Sequence, residues 1–179
     1  MPDYTKKTGE SLSFDREFNS MREISEQEKT NSILFVFRFL KHWFCGRLAS
    51  QFPLPSVRVR LYRAQGVKIG KRVYIGCDVV FDRIKPEYIT IDDDAGIGDR
   101  CIITAHTHLS APLRDQQSRI PKGVHIQSGA NIFPGCIIIN GVTIGEKSIV
   151  GTGSVVLWDV PPNSVVQGNP ARVVKKLEG

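Results

Sequence analysis

Large apolar residues recur at every sixth position through the second half of the chain. Read in sixes, the sequence gives three hexads from residue 69, three from residue 91 and six from residue 126. The first position of every hexad is large and apolar: Ile69, Ile75, Phe81, Ile91, Ile97, Ile103, Ile126, Ile132, Ile138, Ile144, Val150 and Val156. This period fits neither an amphipathic α-helix nor a long alternating strand. It predicts short strands joined by tight turns, three to a coil, stacked into a triangular prism whose first-position side chains point inward.

The other hexad positions support the same interpretation. The fifth position is mostly small or β-branched and should fill a corner of the prism, and the second is often glycine, which tolerates a tight turn. Cys101 and Cys136 fall on fifth positions, where they are predicted to be small core residues. Two interruptions break the hexads, a short one at Lys85–Tyr88 and a longer one from about Leu109 to Gly123. Loops that leave a rigid scaffold often carry function.

The N-terminal part of the chain follows a different pattern, so we divide the sequence into a segment at 1–64 and a repeat domain at 65–179. Residues 1–30 are polar with no sustained period and are expected to form a loose or partly helical arm. Residues 33–48 are rich in aromatic and basic side chains and predict a helix. Two interpretations of that helix stay open: a cap that seals one end of the prism, or an amphipathic helix lying on a membrane surface. The stretch is too short and too charged to span a bilayer unaided.

Composition and charge narrow the function classes. The chain has 179 residues, a formal net charge of +6 and a pI of about 9.3. A basic balance suits an anionic partner, but there is no arginine-rich tract with interleaved aromatic residues, so nucleic acid is not expected. The four cysteines include no C-x-x-C pair, which argues against a zinc ribbon, and the first 30 residues do not resemble a secretory signal. We therefore expect free thiols and a cytoplasmic location.

Three motifs give the repeat domain a family resemblance. They are GVTIGEKSIVGTGSVV at 141–156, VPPNSVVQGNPARVV at 160–174 and IGDRCIITAHTH at 97–108. Through them the chain resembles the maltose, galactoside and nodulation acetyltransferases of the hexapeptide-repeat family, and more closely acetyltransferases found with exopolysaccharide and lipopolysaccharide synthesis. The resemblance implies an all-β fold, a left-handed parallel β-helix with an N-terminal helical segment and a long protruding loop. It also implies a homotrimer with acetyl-CoA in the groove between two subunits and a sugar or polysaccharide precursor as acceptor.

Acetyl transfer from a thioester to a hydroxyl needs a base, because a sugar hydroxyl is hardly ionised at neutral pH. A neutral histidine suits this role, since the ordinary pKa of its side chain is about 6.5. The resemblance places the base at His108, the sixth position of its hexad and the mouth of the long loop. His106 is the alternative, because some polysaccharide-type relatives keep a histidine there. Direct transfer requires no covalent intermediate, so no nucleophilic serine or cysteine is needed.

The resemblance also assigns binding residues. Asp78 stands where the galactoside enzymes carry an acceptor-binding asparagine, and Asn131 where many relatives have a tryptophan beside the acceptor. The positions that match coenzyme A contacts are Pro134, Gly135, Thr152, Gly153, Leu157, Trp158, Arg172 and Lys175. Trp158 replaces a usual lysine and is suited to stacking on adenine. These departures leave the acceptor open, and N-acetylation of an amino sugar remains an alternative to O-acetylation.

Two other functions fit parts of the pattern. A metal-dependent enzyme of the γ-carbonic anhydrase type would use three imidazoles, and His106, His108 and His125 are candidates because His108 and His125 are nearly one coil apart. The closing GNPAR signature and the histidine spacing argue against that enzyme, so no metal is expected. The second alternative is a non-catalytic β-helix scaffold. Neither alternative would need coenzyme A.

Overall fold

The computed structural model describes residues 32–106 and 123–178. The chain divides into two compact units, Met1–Leu40 and Lys41–Gly179. The described residues of the first unit belong to helix α1, which begins at Ser32 and ends at Gln51. They expose a set of large apolar side chains: Ile33, Leu34, Phe37 and Leu40.

The second unit contains the rest of α1, a second helix α2 (Pro55–Gln65) and the hexapeptide repeats. Within α1 it exposes further large apolar side chains, those of Trp43, Phe44 and Leu48. No helix in the described ranges is both long enough and apolar enough to cross a membrane.

The hexads form short parallel strands that stack into three faces. The first face contains β1 (Lys68–Ile69), β4 (Ile89–Ile91), β7 (Val124–Ile126) and β10 (Thr143–Ile144). The second face contains β2 (Tyr74–Ile75), β5 (Gly96–Ile97), β8 (Asn131–Ile132), β11 (Ile149–Val150), β13 (Ser164–Gly168) and β14 (Ala171–Lys176). The third face contains β3 (Val80–Phe81), β6 (Ile102–Ile103), β9 (Ile137–Ile138) and β12 (Val155–Val156). Each coil therefore supplies one strand to each face, as the hexad period predicts.

The core is the stack of first-position side chains. On the second face Ile75 pairs with Ile97, and Ile97 with Ile132, so equivalent residues of successive coils lie directly over one another. Every predicted inward residue is buried except Ile69 of the first coil, which is partly buried against the core. Cys101 and Cys136 are fully buried free thiols on the predicted corner positions. No coil could bury this surface alone, so the stack is the source of the stability.

Glycine occurs at the second hexad position for a different reason from the one that the pattern suggests. The left-handed backbone conformation lies at the fourth position, as at Asp78 (φ 55°) and Gly153 (φ 70°). At the second position the next coil approaches too closely for a side chain, because a Cβ on Gly98 would lie 2.6 Å from Pro134 N. The expectation that second-position glycine serves the turn was therefore wrong: it permits close stacking of the coils.

Helix α2 closes the N-terminal end of the prism. The carbonyls of the first coil have no preceding coil to bond, and side chains from one face of α2 donate to them instead. Arg58 Nε donates to Ile75 O at 2.9 Å, and Tyr62 Oη to Val79 O at 2.6 Å. Gln65, one helical turn further on, donates through Nε2 to the carbonyl of Asp82, the residue after β3, at 3.2 Å. Such cover satisfies the exposed edge that a parallel stack otherwise presents.

The C-terminal end is closed differently. Strand β13 continues the second face in parallel with β11, and β14 then turns back antiparallel to β13. The short interruption predicted at Lys85–Tyr88 contains a 3-10 helix, Pro86–Tyr88, between the first and second coils. Residues 107–122, which include most of the longer interruption predicted from about Leu109 to Gly123, lie outside the described residues.

Candidate functional site

A buried carboxylate and a histidine meet at the corner between the third and first faces. Asp82 directly follows β3, and His106 follows β6, which lies one coil further on and pairs with β3. The His106 Nδ1 atom is hydrogen-bonded to Asp82 Oδ2. Because an ionised carboxylate only accepts hydrogen bonds, Nδ1 is the donor in this contact, and in the neutral ring Nε2 is then the lone-pair acceptor.

Asp82 is itself held by backbone groups. Its Oδ1 accepts from the amides of Ile84 and Lys85, both at 2.9 Å, and its Oδ2 accepts from the amide of Ala105 at 2.8 Å. Burial alone would raise the pKa of Asp82, but the hydrogen bonds from His106, Lys85 and Ala105 outweigh burial and hold the pKa below its ordinary value. Asp82 is therefore an ionised carboxylate with no exposed side-chain surface, while the side chain of His106 is 31% exposed.

This arrangement can hold a proton-accepting nitrogen in a defined direction. A histidine base whose imidazole ring is oriented by a buried carboxylate is common in enzymes that transfer protons. The carboxylate stabilises the imidazolium that forms. Asp82 is a candidate functional residue that the hexad repeat alone did not identify. The available signal was a carboxylate at the second position of the hexad that lies one coil before the His106 hexad.

His108, which the resemblance favours as the base, lies outside the described residues, as does most of the long loop beside it. His106 is therefore the candidate base whose surroundings are described.

The two predicted acceptor residues lie at different levels of the prism. Asp78 is exposed at the corner between the second and third faces in the first coil, where its amide donates to Ser50 O at 2.7 Å. Asn131 is exposed on the second face in the third coil, and its Nδ2 donates to Gly129 O at 2.9 Å. The two residues are thus two coils apart.

Four of the predicted coenzyme A positions lie together on adjacent turns. Pro134 and Gly135 form the turn between β8 and β9, and Thr152 and Gly153 form the same turn one coil later. The two turns are joined by a hydrogen bond from Gly153 N to Pro134 O at 3.0 Å. A Cβ on Gly153 would meet nothing within 4 Å, so its backbone is open to an approaching ligand. This corner separates the second face from the third.

The remaining predicted coenzyme A positions lie further toward the C-terminus. Leu157 and Trp158 follow β12, so by register they occupy the same corner as His106, two coils further along. The Arg172 guanidinium of β14 lies 4.3 Å from the centre of the Trp158 ring, a cation–π contact. Lys175 is exposed on β14 opposite Val165. One chain therefore carries predicted coenzyme A positions at two edges of the third face and, with Lys175, on the second face.

A second histidine–carboxylate pair lies on the first face. His125 Nε2 is 2.8 Å from Asp92 Oδ2, and both side chains are partly exposed. Within residues 32–106 and 123–178, no group of three His, Cys, Asp or Glu side chains is arranged to hold a metal ion.

The chain is similar to acetyltransferases in sequence. It is 30% identical over 142 residues to "Putative acetyltransferase YvoF" of Bacillus subtilis, an alignment that covers 79% of each chain. It is 33% identical over 113 residues to a Schizosaccharomyces pombe protein of the same description, covering 63% of this chain and 54% of that one. The chain therefore spans about half the length of that relative. No protein-family profile matches the chain.

Solved structures agree with the sequence relatives. A hexapeptide-repeat acetyltransferase of Vibrio cholerae, crystallised with acetyl coenzyme A, matches with a TM-score of 0.65 and 27% identity, covering 79% of this chain and 88% of that one. A maltose O-acetyltransferase of Clostridium difficile matches with a TM-score of 0.58 and 26% identity, covering 82% and 89%. These matches confirm the predicted fold class, a left-handed parallel β-helix of hexapeptide repeats.

Proposed function

Because this chain belongs to the hexapeptide-repeat acetyltransferase family, we propose that it transfers the acetyl group of acetyl-CoA to a hydroxyl of a sugar or polysaccharide precursor. The observation that carries the proposal is the hydrogen bond between the buried Asp82 carboxylate and His106 Nδ1. It leaves His106 Nε2 free of that bond and able to accept a proton.

The proposed reaction is a direct acyl transfer. His106 Nε2 removes the proton of the acceptor hydroxyl as its oxygen attacks the thioester carbonyl, and a tetrahedral intermediate forms. The carbon–sulfur bond then breaks, the acetyl ester remains on the acceptor, and the imidazolium returns its proton to the coenzyme A thiolate. Throughout, the Asp82 carboxylate stabilises the transient positive charge on the imidazole ring.

His108 remains the alternative base. The resemblance favours it, whereas the contact with Asp82 supports His106, and both lie at the start of the same loop. Substituting each histidine by alanine in turn ranks them.

Coenzyme A is proposed to bind along the predicted positions. Arg172 and Lys175 supply positive charge for its phosphates, and Trp158, whose side chain is exposed, supplies an aromatic face near its adenine. The turns at Pro134–Gly135 and Thr152–Gly153 are proposed to line the pantetheine arm, with the open backbone of Gly153 facing it.

The active site is proposed to lie between subunits of a homotrimer. The outward residues of the third face are apolar and in register: Val80, Ile102, Ile137 and Val155. The outward residues of the first face, by contrast, are polar: Lys68, Thr90, His125 and Thr143. An exposed apolar ladder of this kind is typical of a surface that packs against another subunit. Candidate site residues flank this face on both edges. A neighbouring subunit packed there would place an edge of its own third face beside an edge of this one.

Acceptor recognition is proposed to use Asp78 and Asn131. Their separation by two coils along one chain is easier to reconcile with an acceptor that contacts two subunits than with one bound to a single prism. Their polar side chains suit the hydroxyls of a sugar.

Helix α1 is proposed to contact an anionic membrane surface. It exposes Phe37, Trp43 and Phe44 to solvent, and the same helix carries the cations Arg38, Lys41 and Arg47. Exposed aromatic rings beside basic residues are the composition of helices that lie in the headgroup region.

The decisive experiment combines binding and turnover. Acetyl-CoA should raise the melting temperature of the protein, because a ligand that binds only the native state stabilises it. Coenzyme A release should then be followed with a panel of maltose, galactose, glucosamine and an oligosaccharide.

His106→Ala should lower kcat by about 10²–10⁴-fold while acetyl-CoA binding persists. If His108→Ala is the more damaging change in a folded protein, His108 is the base. No thermal shift with acetyl-CoA would contradict the acetyltransferase and favour the scaffold or the metal enzyme.

A further inference from the structure

The side chain of Gln65 connects the helical cap to the Asp82–His106 pair. Gln65 lies at the end of α2 and is 1% exposed. Its Nε2 donates to the backbone carbonyl of Asp82 at 3.2 Å. The helical cap therefore reaches the same residue whose carboxylate orients His106.

Asp82 needs a partner on this side because it belongs to the first coil. Toward the second coil its amide donates to Ile103 O at 3.0 Å, which is the normal stacking bond. Away from the second coil there is no earlier strand, so Gln65 supplies the partner for its carbonyl. The next carbonyl, that of Arg83, is 3.3 Å from Nδ1 of His42 in α1. The turn that presents the carboxylate is therefore fixed from both sides.

The Gln65 amide group is also fixed from the α1 side. A Cβ added to Gly46 would lie 2.9 Å from Gln65 Oε1 and 3.1 Å from Nε2, so the glycine leaves the space that the amide occupies. Among the described residues, the Oε1 atom has no hydrogen-bond partner. A buried amide that bonds through only one of its two ends costs free energy, so stability alone does not explain a glutamine here.

We propose that Gln65 is a positioning residue for acetyl transfer, acting through the Asp82 backbone on the direction of the His106 ring. This inference rests on the proposed role of His106 as the base. A small displacement of Asp82 would turn the imidazole away from the acceptor hydroxyl, and misplacement of reacting groups by about 1 Å can cost up to about 10²-fold in rate.

The test compares Gln65→Met with Tyr62→Phe. Methionine keeps the length of the side chain and removes the donor to Asp82. Phenylalanine keeps the ring of Tyr62 and removes a cap hydrogen bond of the same kind, the one to Val79, which does not involve Asp82. Gln65→Met should lower kcat about tenfold, with KM for acetyl-CoA changed less than twofold, whereas Tyr62→Phe should keep kcat within twofold. The acceptor is whichever sugar of the panel the wild-type protein turns over fastest.

A second readout does not depend on turnover. In protein labelled with ¹⁵N-histidine, the low-field Nδ1–H resonance of His106, assigned by its loss in His106→Gln, should shift or broaden in Gln65→Met and persist in Tyr62→Phe. If the wild type acetylates none of the sugars, the proposed function is in doubt, but this resonance still tests the coupling. An unchanged resonance and kcat in Gln65→Met, or equal losses in both variants, would overturn the proposal.

Gly46→Ala guards against a Gln65 variant that does not fold. Alanine favours a helix more than glycine does, so α1 itself should not be weakened, but the added methyl group displaces the Gln65 amide. A folded Gly46→Ala protein should show the same fall in kcat and the same change in the His106 resonance. Wild-type behaviour in that variant would count against the coupling.

Discussion

At the scale of single residues, the proposed chemistry depends on the hydrogen bonds that one carboxylate accepts. The side chain of Asp82 has no exposed surface, and it accepts hydrogen bonds from three backbone amides and from the His106 ring. Its charge is therefore compensated without a lysine or arginine side chain. Bonds of this kind to an ionised acceptor are stronger than bonds between neutral groups. The same contacts that orient the histidine therefore also stabilise the fold at this corner.

Asp82→Asn should reduce the free energy of unfolding in a pH-dependent way. At pH 7 we expect a loss of about 1–3 kcal/mol, because an amide NH₂ would face backbone donors. Since the folded-state pKa of Asp82 is lowered, its contribution is present above the ordinary value of about 3.9 and is lost as the pH falls through the folded value. Urea unfolding at a series of pH values from 7 to 3 should show the difference between wild type and variant narrowing below about pH 4.

Asp94→Asn provides the matched control for that experiment. Asp94 forms an exposed ion pair with Arg72 at 2.5 Å, and asparagine tolerates its left-handed backbone. Exposed pairs contribute little, so this variant should unfold like the wild type. Equal losses in the two variants, or a loss in Asp82→Asn that does not change with pH, would contradict the assignment.

The second prediction at this scale concerns the positive charges of Arg172 and Lys175. Arg172→Ala combined with Lys175→Ala should raise KM for acetyl-CoA with little effect on KM for the acceptor, and the effect should shrink at high salt because exposed charges are screened. Lys68→Ala combined with Lys71→Ala removes the same charge at the other end of the prism and serves as the control. The measurement is steady-state kinetics at low and high ionic strength. An unchanged KM for acetyl-CoA in the Arg172 and Lys175 double variant would contradict the assignment.

At the scale of elements, the two helices differ in what they do for the repeats. Helix α2 turns one face inward, where Arg58, Tyr62 and Gln65 donate to carbonyls of the first coil. Helix α1 keeps many of its large apolar side chains exposed, including Phe37 and Phe44. Contacts that cap the prism therefore come from α2 and also from His42 and Ser50 of α1. The membrane interpretation of α1 stays a proposal.

The membrane proposal predicts binding to anionic vesicles. The intact protein should sediment with vesicles that contain phosphatidylglycerol and less with pure phosphatidylcholine. Replacing Phe37, Trp43 and Phe44 by serine should abolish sedimentation without unfolding the protein, because these side chains are exposed. Tyr74→Ser, which removes an exposed aromatic ring from the second face, should bind as the wild type does. Absence of vesicle binding by the intact chain would end this proposal.

At the scale of the whole molecule, the three faces of the prism are chemically unequal. The third face carries an apolar outward ladder, and candidate residues for catalysis and coenzyme A binding lie along its two edges. A single chain thus carries candidate site residues on either side of an exposed apolar surface. Assembly through that surface would explain both observations.

Ile102→Glu should dissociate the proposed trimer. Ile102 is 39% exposed and lies between Val80 and Ile137, so a carboxylate there would be buried without a partner at the interface. Thr90→Glu, an outward position of the polar first face, should leave the assembly intact. Sedimentation velocity of both variants is the measurement, and a wild-type monomer with full activity would refute the assembly.

The amino-acid sequence by itself determined the coil, its register and its core. A hexad period forces equivalent residues to stack, so the inward position of Ile97 or Ile132 follows from spacing alone once each coil has three strands. The motifs in the same repeats were enough to indicate the acetyltransferase family. Local order of this kind is readable because each inference needs only neighbouring residues.

Only the tertiary structure decided which distant residues meet. Asp82 and His106 are 24 positions apart, and their contact depends on a turn whose length the hexad pattern does not predict. The stacking of Arg172 on Trp158 and the hydrogen bond from Gln65 to Asp82 likewise join separate elements. Such contacts are set by how the ends and corners of the prism close, because irregular turns and helices there have no period. The repeat supplies the scaffold, and the breaks in the repeat bring the candidate site together.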